Sequence, residues 1–282
     1  MNLQNILSEI ERRDPEVYDK LDTRREVMRR FMKTSGKVAL ASLPFALGNM
    51  FNKAYGRNTD AITDVLQFAL TLEYLEAEFY VKGNLAPGLI PAADQAAFQT
   101  ISAHETAHVN FLKTTITTLG QTPVPKPNFD FTAGGGSGTG PFVGVFTVYP
   151  LFLGVSQTFE DTGVRAYKGQ ATALQSSPSV LTAALRIHSV EARHASHVRL
   201  IRQKMGANVK PWITLNQSGI PAPYAAAVQP SYNGEENLSQ GNPAVSIVNI
   251  GGQSISANAA SEAFDEPLTK AQVLAIVGPF IY

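Results

Sequence analysis

The chain carries one pattern of carboxylate, phenol and imidazole side chains twice, with the two copies 86 or 87 residues apart. In each copy a glutamate is followed seven positions later by a tyrosine, and about thirty residues later by a Glu-x-x-His motif. The first copy comprises Glu73, Tyr80, Glu105 and His108, and the second comprises Glu160, Tyr167, Glu191 and His194. Carboxylates and imidazoles with this spacing can hold two metal ions between four helices.

Four segments with helical periodicity contain these residues. They are residues 59–83, 92–119 and 143–169, and a fourth segment that follows the break at residues 176–178. Short links join the first to the second and the third to the fourth, which predicts two antiparallel hairpins. The link at residues 121–141 is long and contains four prolines and a glycine-rich tract, so it can cross the bundle. We therefore predict an all-α four-helix bundle over residues 58–205.

The four glutamates of the pattern occupy positions where the helical period calls for an apolar residue. A buried unpaired carboxylate takes up a proton, and four buried carboxylates also repel one another. Two divalent cations would balance their negative charges. One imidazole per ion among oxygen ligands suits iron or manganese, and zinc could compete. We expect Tyr80 and Tyr167 to support the site by hydrogen bonds to bridging carboxylates or ligand histidines.

Three further acidic residues lie near the pattern. Glu76 shares a broad helix face with Glu73 and is therefore an alternative ligand. The tyrosine spacing and the match between the two copies favour Glu73 over Glu76. We interpret Glu78 and Asp161 as solvated charges at the rim of the bundle.

Three further histidines flank the motifs, namely His104, His188 and His197. We interpret them as rim or core residues rather than metal ligands, because a lone histidine usually has such a place. A proton relay is a second interpretation of His188 and His197. We therefore include these two, with Glu76 and the two tyrosines, among the residues that support the site.

The amino-acid composition excludes several classes of protein and of metal site. The chain has 282 residues, 44% of them hydrophobic and 16% charged, which is typical of a globular protein with a substantial core. Its 23 basic and 23 acidic residues balance, so no global charge favours nucleic acid as a partner. The sequence contains no cysteine, which excludes disulfides, thiolate zinc sites and iron–sulfur clusters.

The N-terminal region contains an export-like motif. Residues 23–29 (Thr-Arg-Arg-Glu-Val-Met-Arg) resemble the twin-arginine signature, and the apolar stretch at residues 38–51 suits the hydrophobic region of a signal peptide. This stretch is too short to span a bilayer. We expect a helical leader at residues 1–57 that engages the twin-arginine export machinery and directs the protein to the periplasm or cell surface. The alternative is a basic amphipathic helix with an apolar docking segment on a cytoplasmic protein.

The C-terminal region differs in composition from the bundle. Residues 206–282 are rich in proline, asparagine, glycine and serine, and they contain the single tryptophan of the chain, Trp212. We expect a largely irregular extension that packs on the bundle. Short strands are predicted near residues 245–250, and a last short helix is predicted at residues 270–277 after the N-cap Thr269.

With these motifs the chain resembles the ferritin-like superfamily, whose pattern is a glutamate with a following tyrosine and then Glu-x-x-His, each given twice. The resemblance covers residues 58–205. The leader, the run at residues 72–77 (Leu-Glu-Tyr-Leu-Glu-Ala) and the long tail resemble its exported bacterial and desiccation-related branch. The resemblance implies terminal ligation by Glu73 and Glu160, bridging ligation by Glu105 and Glu191, and nitrogen ligation by His108 and His194.

The resemblance also implies a cofactor and a reaction. The cofactor would be two metal ions, with iron in first place and manganese or a mixed pair as alternatives. The protein would oxidise Fe(II) with oxygen or peroxide, or dismutate peroxide, as a ferroxidase-, oxidase- or catalase-like oxidoreductase in protection against oxidative stress. The alternative function is that of a non-enzymatic structural or desiccation-protective bundle, with a vestigial or merely stabilising metal site.

Three features depart from cage-forming ferritins: the leader, the glycine-rich crossover and the C-terminal extension. They argue against a 24-subunit shell and hence against iron storage. A homo-oligomer with fewer subunits is still compatible with the sequence.

Overall fold

Four long helices form the body of residues 59–282, the part of the chain that the computed structural model describes. They are α1 (Thr59–Leu85), α2 (Ala92–Thr118), α3 (Tyr149–Gln170) and α4 (Pro178–Lys204). α1 packs along α2 and α3 along α4, with a short link within each pair and the long segment 119–148 between the pairs. The predicted all-α bundle of two antiparallel hairpins with a long crossover is confirmed. The predicted leader and its twin-arginine motif lie outside the described residues.

The third helix begins at Tyr149, six residues later than the sequence predicts. Pro150 lies in its first turn, where a backbone N–H would have no partner within the helix, so proline is well tolerated. Residues 141–147 form turns instead, and Gly144 adopts a left-handed φ of 88° there. The apolar side chains of Phe142 and Val145 are buried from these turns, which explains why the segment has the apolar spacing of a helix.

The first helix continues to Leu85, although Gly83 suggests an earlier end. A Cβ atom at Gly83 would lie 2.4 Å from Cε2 of Phe152 on α3, so glycine is needed for the contact between the two helices. Phe152 in turn stacks on Phe79 of α1, with ring centroids 4.9 Å apart. Both phenylalanines are fully buried and form part of an aromatic core at this end of the bundle.

The chain after α4 contains short elements joined by turns. These are α5 (Ala225–Val228), β1 (Ser239–Gln240), β2 (Val245–Ser246), α6 (Ala257–Ser261) and α7 (Lys270–Val277). Short 3-10 helices lie at Ala171–Leu174 in the α3–α4 link and at Gln229–Ser231, Ile250–Gly252 and Gly278–Phe280 in the tail. The two strands pair antiparallel, and α7 occupies the residues predicted for the last helix. Within residues 59–282, no helix combines the length and the apolar character that crossing a bilayer requires.

The third helix is buried from residue 151 to residue 167, because the tail covers the face that the other helices leave open. Arg165 pairs with Glu235 of the tail, with Nε and Oε1 2.6 Å apart, and also donates to the carbonyls of Ser231 and Asn233. The tail therefore packs directly on the bundle through buried charge. The predicted domain boundaries on either side of residues 58–205 stay predictions.

Asp161 is the second buried charge on this face, and its interpretation as a solvated rim charge is wrong. Arg199 of α4 donates two hydrogen bonds to it, at 3.2 and 2.5 Å, and the hydroxyl of Tyr232 donates a third at 2.9 Å. The helical period places Asp161 on α3 correctly. It does not show that the tail covers that side of the helix.

We expect Asp161→Ala to lower the free energy of unfolding by about 3–5 kcal/mol, because it leaves the buried guanidinium of Arg199 without its carboxylate. The matched control is Asp64→Ala. This change removes an exposed ion pair with Lys270 and should cost less than about 1 kcal/mol. Urea denaturation of the metal-free protein measures both values. Equal losses in the two variants would contradict the structural role assigned to Asp161.

Candidate metal centre

All six residues predicted as ligands meet in the middle of the bundle. They form two groups in which one ligand atom per residue lies within 4.8 Å of the others. The first group comprises Glu73, Glu105, His108 and Glu191, and the second comprises Glu105, Glu160, Glu191 and His194. Glu105 and Glu191 belong to both groups, and all six side chains are buried. The arrangement is that of two metal positions that share two carboxylates.

The first position surrounds the imidazole of His108. Its Nδ1 atom lies 3.1 Å from Oε2 of Glu73, 3.1 Å from Oε2 of Glu105 and 3.3 Å from Oε1 of Glu191. A single N–H group has one hydrogen to donate and cannot serve three acceptors equally. A cation between the nitrogen and the three oxygens can bind all four atoms, so this geometry fits a metal ion.

The second position repeats the first around His194. Its Nδ1 atom lies 2.9 Å from Oε1 of Glu105 and 3.2 Å from Oε2 of Glu160. Glu105 therefore directs Oε2 towards His108 and Oε1 towards His194. This is the orientation required of a carboxylate that bridges two ions.

Three carboxylate oxygens of the cluster have no hydrogen-bond partner among the described residues. They are Oε1 of Glu105 and both oxygens of Glu191. Oε1 of Glu105 and Oε1 of Glu191 lie within ion-pair distance of a histidine but outside hydrogen-bond geometry. A buried carboxylate oxygen without a partner is costly, and a metal ion would remove that cost. The two shared glutamates are thus the residues that most need a cation.

The pKa values of the glutamates reflect their mutual repulsion. Burial raises the pKa of Glu105 to about 7 and that of Glu191 to about 8, and repulsion from neighbouring carboxylates adds to both shifts. Burial also raises the pKa of Glu160. Glu73 differs: burial acts to raise its pKa, but the charge and hydrogen bond of His108 outweigh burial and lower it.

The two imidazoles respond in the opposite sense to their surroundings. Burial acts to lower their pKa values, but the carboxylates outweigh it. Attraction to Glu160 and the close carboxylate of Glu105 raise the pKa of His194 to about 11, and attraction to Glu73 raises the pKa of His108. Without metal, the cluster therefore balances its negative charge with protons.

The two tyrosines connect the hairpins. Tyr80 of α1 donates a hydrogen bond to Oε1 of Glu160 on α3, and Tyr167 of α3 donates to Oε1 of Glu73 on α1. The tyrosines thus bind Glu73 and Glu160, the two glutamates that belong to only one donor group each. The Oε2 atom of each of these glutamates faces a histidine. The prediction that the tyrosines bond bridging carboxylates or ligand histidines is wrong. Their spacing defines a helix face, but it does not show which neighbouring carboxylate that face meets.

Glu76 is a fifth buried carboxylate beside the cluster. Burial and repulsion from the four other glutamates raise its pKa well above the usual range, so it holds a proton. It belongs to neither donor group, and the structure therefore does not support it as an alternative ligand. Its Oε1 atom lies near Gly163, on the same side as Oε2 of Glu191.

The histidine that contacts a predicted ligand is His104, which the sequence analysis interprets as a rim or core residue. Its Nδ1 atom lies 3.0 Å from Nε2 of His194, and the two rings stack with centroids 5.2 Å apart. His104 precedes His108 by one helical turn, so its position on α2 was the available signal. His188 instead contacts the carbonyl of Val164 at 3.0 Å, and His197 is exposed. The structure brings neither of these two to the cluster, and we assign them no role there.

The comparison with protein families agrees with this geometry. Residues 61–204 match the family model described as the ferritin-like domain. The chain belongs to the ferritin-like family. No match to the chain was found among curated proteins. The buried glutamates and histidines of this ferritin-like bundle could hold metal ions, as the fold commonly does.

We expect metal binding to weaken as the pH falls from about 8 to about 6. The pKa values of Glu105 and Glu191, about 7 and about 8, mean that both carboxyls hold protons at the lower pH and that a metal must displace them. Each displaced proton changes the apparent binding constant about tenfold per pH unit. Titration calorimetry with Mn(II) at several pH values measures this slope. A binding constant independent of pH would contradict the assignment of these residues as ligands.

Without metal, the stability of the protein should change with pH in the opposite direction to metal binding. A carboxyl whose pKa is raised from 4.5 in the folded state stabilises the fold while it is protonated, and this contribution is lost as the pH rises. We therefore expect Glu105 and Glu191 to make the metal-free protein less stable as the pH rises from about 5 to about 8. Bound Mn(II) should stabilise the protein increasingly over the same window, as thermal unfolding with and without the metal would show.

We expect Gly163→Ala to weaken metal binding by about tenfold to a hundredfold, as changes beside metal ligands do. A Cβ atom at Gly163 would lie 2.9 Å from Oε2 of Glu191 and would push this carboxylate out of place. The matched control on the same helix is Gly154→Ala, whose Cβ would meet only ordinary contacts with Ile220 at 3.7 Å or more. Mn(II) titration of both variants is the measurement. Equal affinities would show that Glu191 is not positioned by Gly163.

Proposed function

We propose that this protein is a dimetal oxidoreductase of the ferritin-like family that uses iron or manganese and reacts with oxygen or peroxide. One observation carries the proposal. Nδ1 of His108 faces three buried carboxylate oxygens at 3.1–3.3 Å, and Nδ1 of His194 faces a second set that shares Glu105 and Glu191 with the first. Paired positions of this kind suit two ions that act on one small substrate.

The proposed ligand roles follow from the sharing of carboxylates. Glu105 and Glu191 would bridge the ions, because both donor groups contain them. The two other glutamates, Glu73 and Glu160, would each bind one ion as terminal ligands. Two divalent cations balance the charge of the four carboxylates, and oxygen-rich ligation with one nitrogen per ion favours iron or manganese. When bound, such ions supply redox equivalents and open positions at which an oxidant is polarised.

The surrounding residues hold the ligands in place. The hydroxyls of Tyr80 and Tyr167 fix Oε1 of the two terminal glutamates and leave Oε2 free for an ion. The hydroxyl of Tyr80 also lies 2.7 Å from Oγ of Ser156, which orients it further. This network crosses from one hairpin to the other on both sides. The donor atoms are therefore positioned before any ion enters.

The protons of the site have defined places. With an ion on Nδ1 of His194, its Nε2 would carry the proton of the ring and could donate it to Nδ1 of His104, 3.0 Å away. Burial and the charge of His194 lower the pKa of His104, which keeps its ring neutral and able to accept. His104 is exposed, so this pair connects the buried ligand with solvent. On the other side, Glu76 keeps its proton beside Glu191.

The proposed substrates and location extend the resemblance to the exported bacterial and desiccation-related branch. Fe(II) with oxygen or peroxide, or peroxide alone, would be the substrate, and protection from oxidative stress outside the cytoplasm would be the role. The export-like motif at residues 23–29 supports this location. The tail on α3 is an addition to the four-helix bundle and supports a smaller assembly, or a monomer, rather than a storage shell.

A non-enzymatic structural bundle is the second candidate, and the electrostatics of the metal-free cluster favour it. The raised pKa values of His108 and His194 show that the cluster can hold two positive charges on its own residues. Protons on Glu105 and Glu191 offset part of the remaining repulsion. A chain with this compensation could fold and persist without any metal.

Metal analysis after anaerobic reconstitution with Fe(II) or Mn(II) separates the two functions. We expect about two ions per chain for the wild-type protein and strong loss in the double variant Glu105→Ala, Glu191→Ala, since these residues serve both positions. Stopped-flow spectroscopy with oxygen and with peroxide should then show fast oxidation only where the ions are bound.

The control variant is Glu78→Ala on α1. Glu78 is half-buried, pairs with Lys82 at 2.9 Å and with Lys126, and lies outside both donor groups. It should keep the metal content and the rates of the wild type. Absence of metal from the wild type after reconstitution, or equal rates in the wild type and the double variant, would leave the structural candidate.

A further inference from the structure

A cavity of about 430 Å³ lies between the first turns of α3, the end of α4 and the tail. Most of its wall is apolar, with Leu151 and Val155 from α3, and Ile220 and Val228 from the tail. Its volume falls within the range of small-molecule sites, which are mainly apolar with a few placed polar groups. Gly154 lines the cavity six residues before Glu160, about 9 Å along the helix axis, so the cavity is distinct from the metal centre.

Arg202 is the one charged residue among those that line this cavity. It is 6% exposed, and it donates hydrogen bonds only to neutral acceptors, namely Oε1 of Gln157 and the carbonyls of Ser218 and Gly219. Burial lowers the pKa of its guanidinium, and the positive charge of Arg199 also acts to lower it.

The neighbouring buried arginines show what Arg202 lacks. Arg165 has Glu235 at 2.6 Å, and Arg199 has Asp161 at 2.5 Å. Buried charges in proteins are normally paired, because an unpaired one is expensive to remove from water. Arg202 is therefore a buried cation at an apolar cavity with room for an anionic partner.

We propose that this cavity binds a single-chain fatty acid, with the carboxylate on Arg202 and the alkyl chain along the apolar wall. The guanidinium provides charge-assisted hydrogen bonds to a carboxylate, and the wall provides the apolar surface that an alkyl chain requires. The wall carries no second cation that a phosphate group would call for. The inference concerns a site apart from the metal centre and stands or falls independently of the proposed function.

Titration calorimetry with decanoate and with decanol, both below their aggregation limits, tests the proposal on the full chain. The wild-type protein should bind decanoate about tenfold or more tightly than decanol, because only the carboxylate can pair with Arg202. Arg202→Gln should remove this preference and bind both compounds with similar affinity. A preference for decanoate that persists in Arg202→Gln would overturn the assignment of the carboxylate to this residue.

Gly154→Leu tests the cavity without touching the charge. A Cβ atom at Gly154 would have only ordinary contacts with Ile220, at 3.7 Å or more, so the larger side chain can enter the cavity and take up space that the alkyl chain would occupy. This variant should lose the binding of both compounds while its metal content and melting temperature stay close to those of the wild type. Decanoate binding that is unchanged in Gly154→Leu, or no saturable binding by the wild type, would overturn the proposal. If Arg202→Gln does not fold, the Gly154→Leu result decides.

Discussion

Four carboxylates buried side by side at the centre of a helical bundle impose the constraint on which the rest of this structure depends. Their repulsion must be offset by cations or by protons, and the chain provides for both. The raised pKa values of Glu105 and Glu191 favour protonated carboxyls, and the oxygens that converge around His108 and His194 could hold metal ions instead. The negative charge of the cluster can thus be offset either by protons or by metal ions taken up from solvent. The bundle must hold the carboxylates in the same places in both cases.

That requirement explains the construction around the cluster. α3 carries Glu160 and is enclosed along residues 151–167, with the tail on the face that α1, α2 and α4 do not cover. The tail is held by buried charge rather than by apolar contact alone, through Arg165 with Glu235 and Tyr232 with Asp161. Buried ion pairs add specificity to a packing arrangement more readily than they add stability. Here they define one position for the tail on the helix that carries Glu160.

The sequence predicted the bundle and the set of candidate ligands because both follow from the spacing of apolar and acidic residues along each helix. A glutamate at an apolar position, repeated at matched distance, indicates burial and a partner whatever the rest of the fold. The sequence pattern could not predict contacts that depend on which helices and segments pack together. The acceptors of Tyr80 and Tyr167 lie on the opposite hairpin, and Asp161 is buried only because a distant segment covers it. The predicted start of α3 at residue 143 was wrong, because residues 141–147 form turns that bury Phe142 and Val145 without a helix.

The crossed pairing of the tyrosines has a consequence for how the two halves of the bundle depend on each other. Each hairpin contributes a phenol that orients a carboxylate of the other, and the two glutamates that both donor groups share come one from each hairpin. Neither repeat alone could therefore supply all the ligands of one metal position, even though each contains a full copy of the motif. Binding of a metal ion at either position would therefore require that the two hairpins are packed against each other in the arrangement seen here. A substitution of Tyr80 or Tyr167 in one repeat would therefore disturb a carboxylate that belongs to the other repeat.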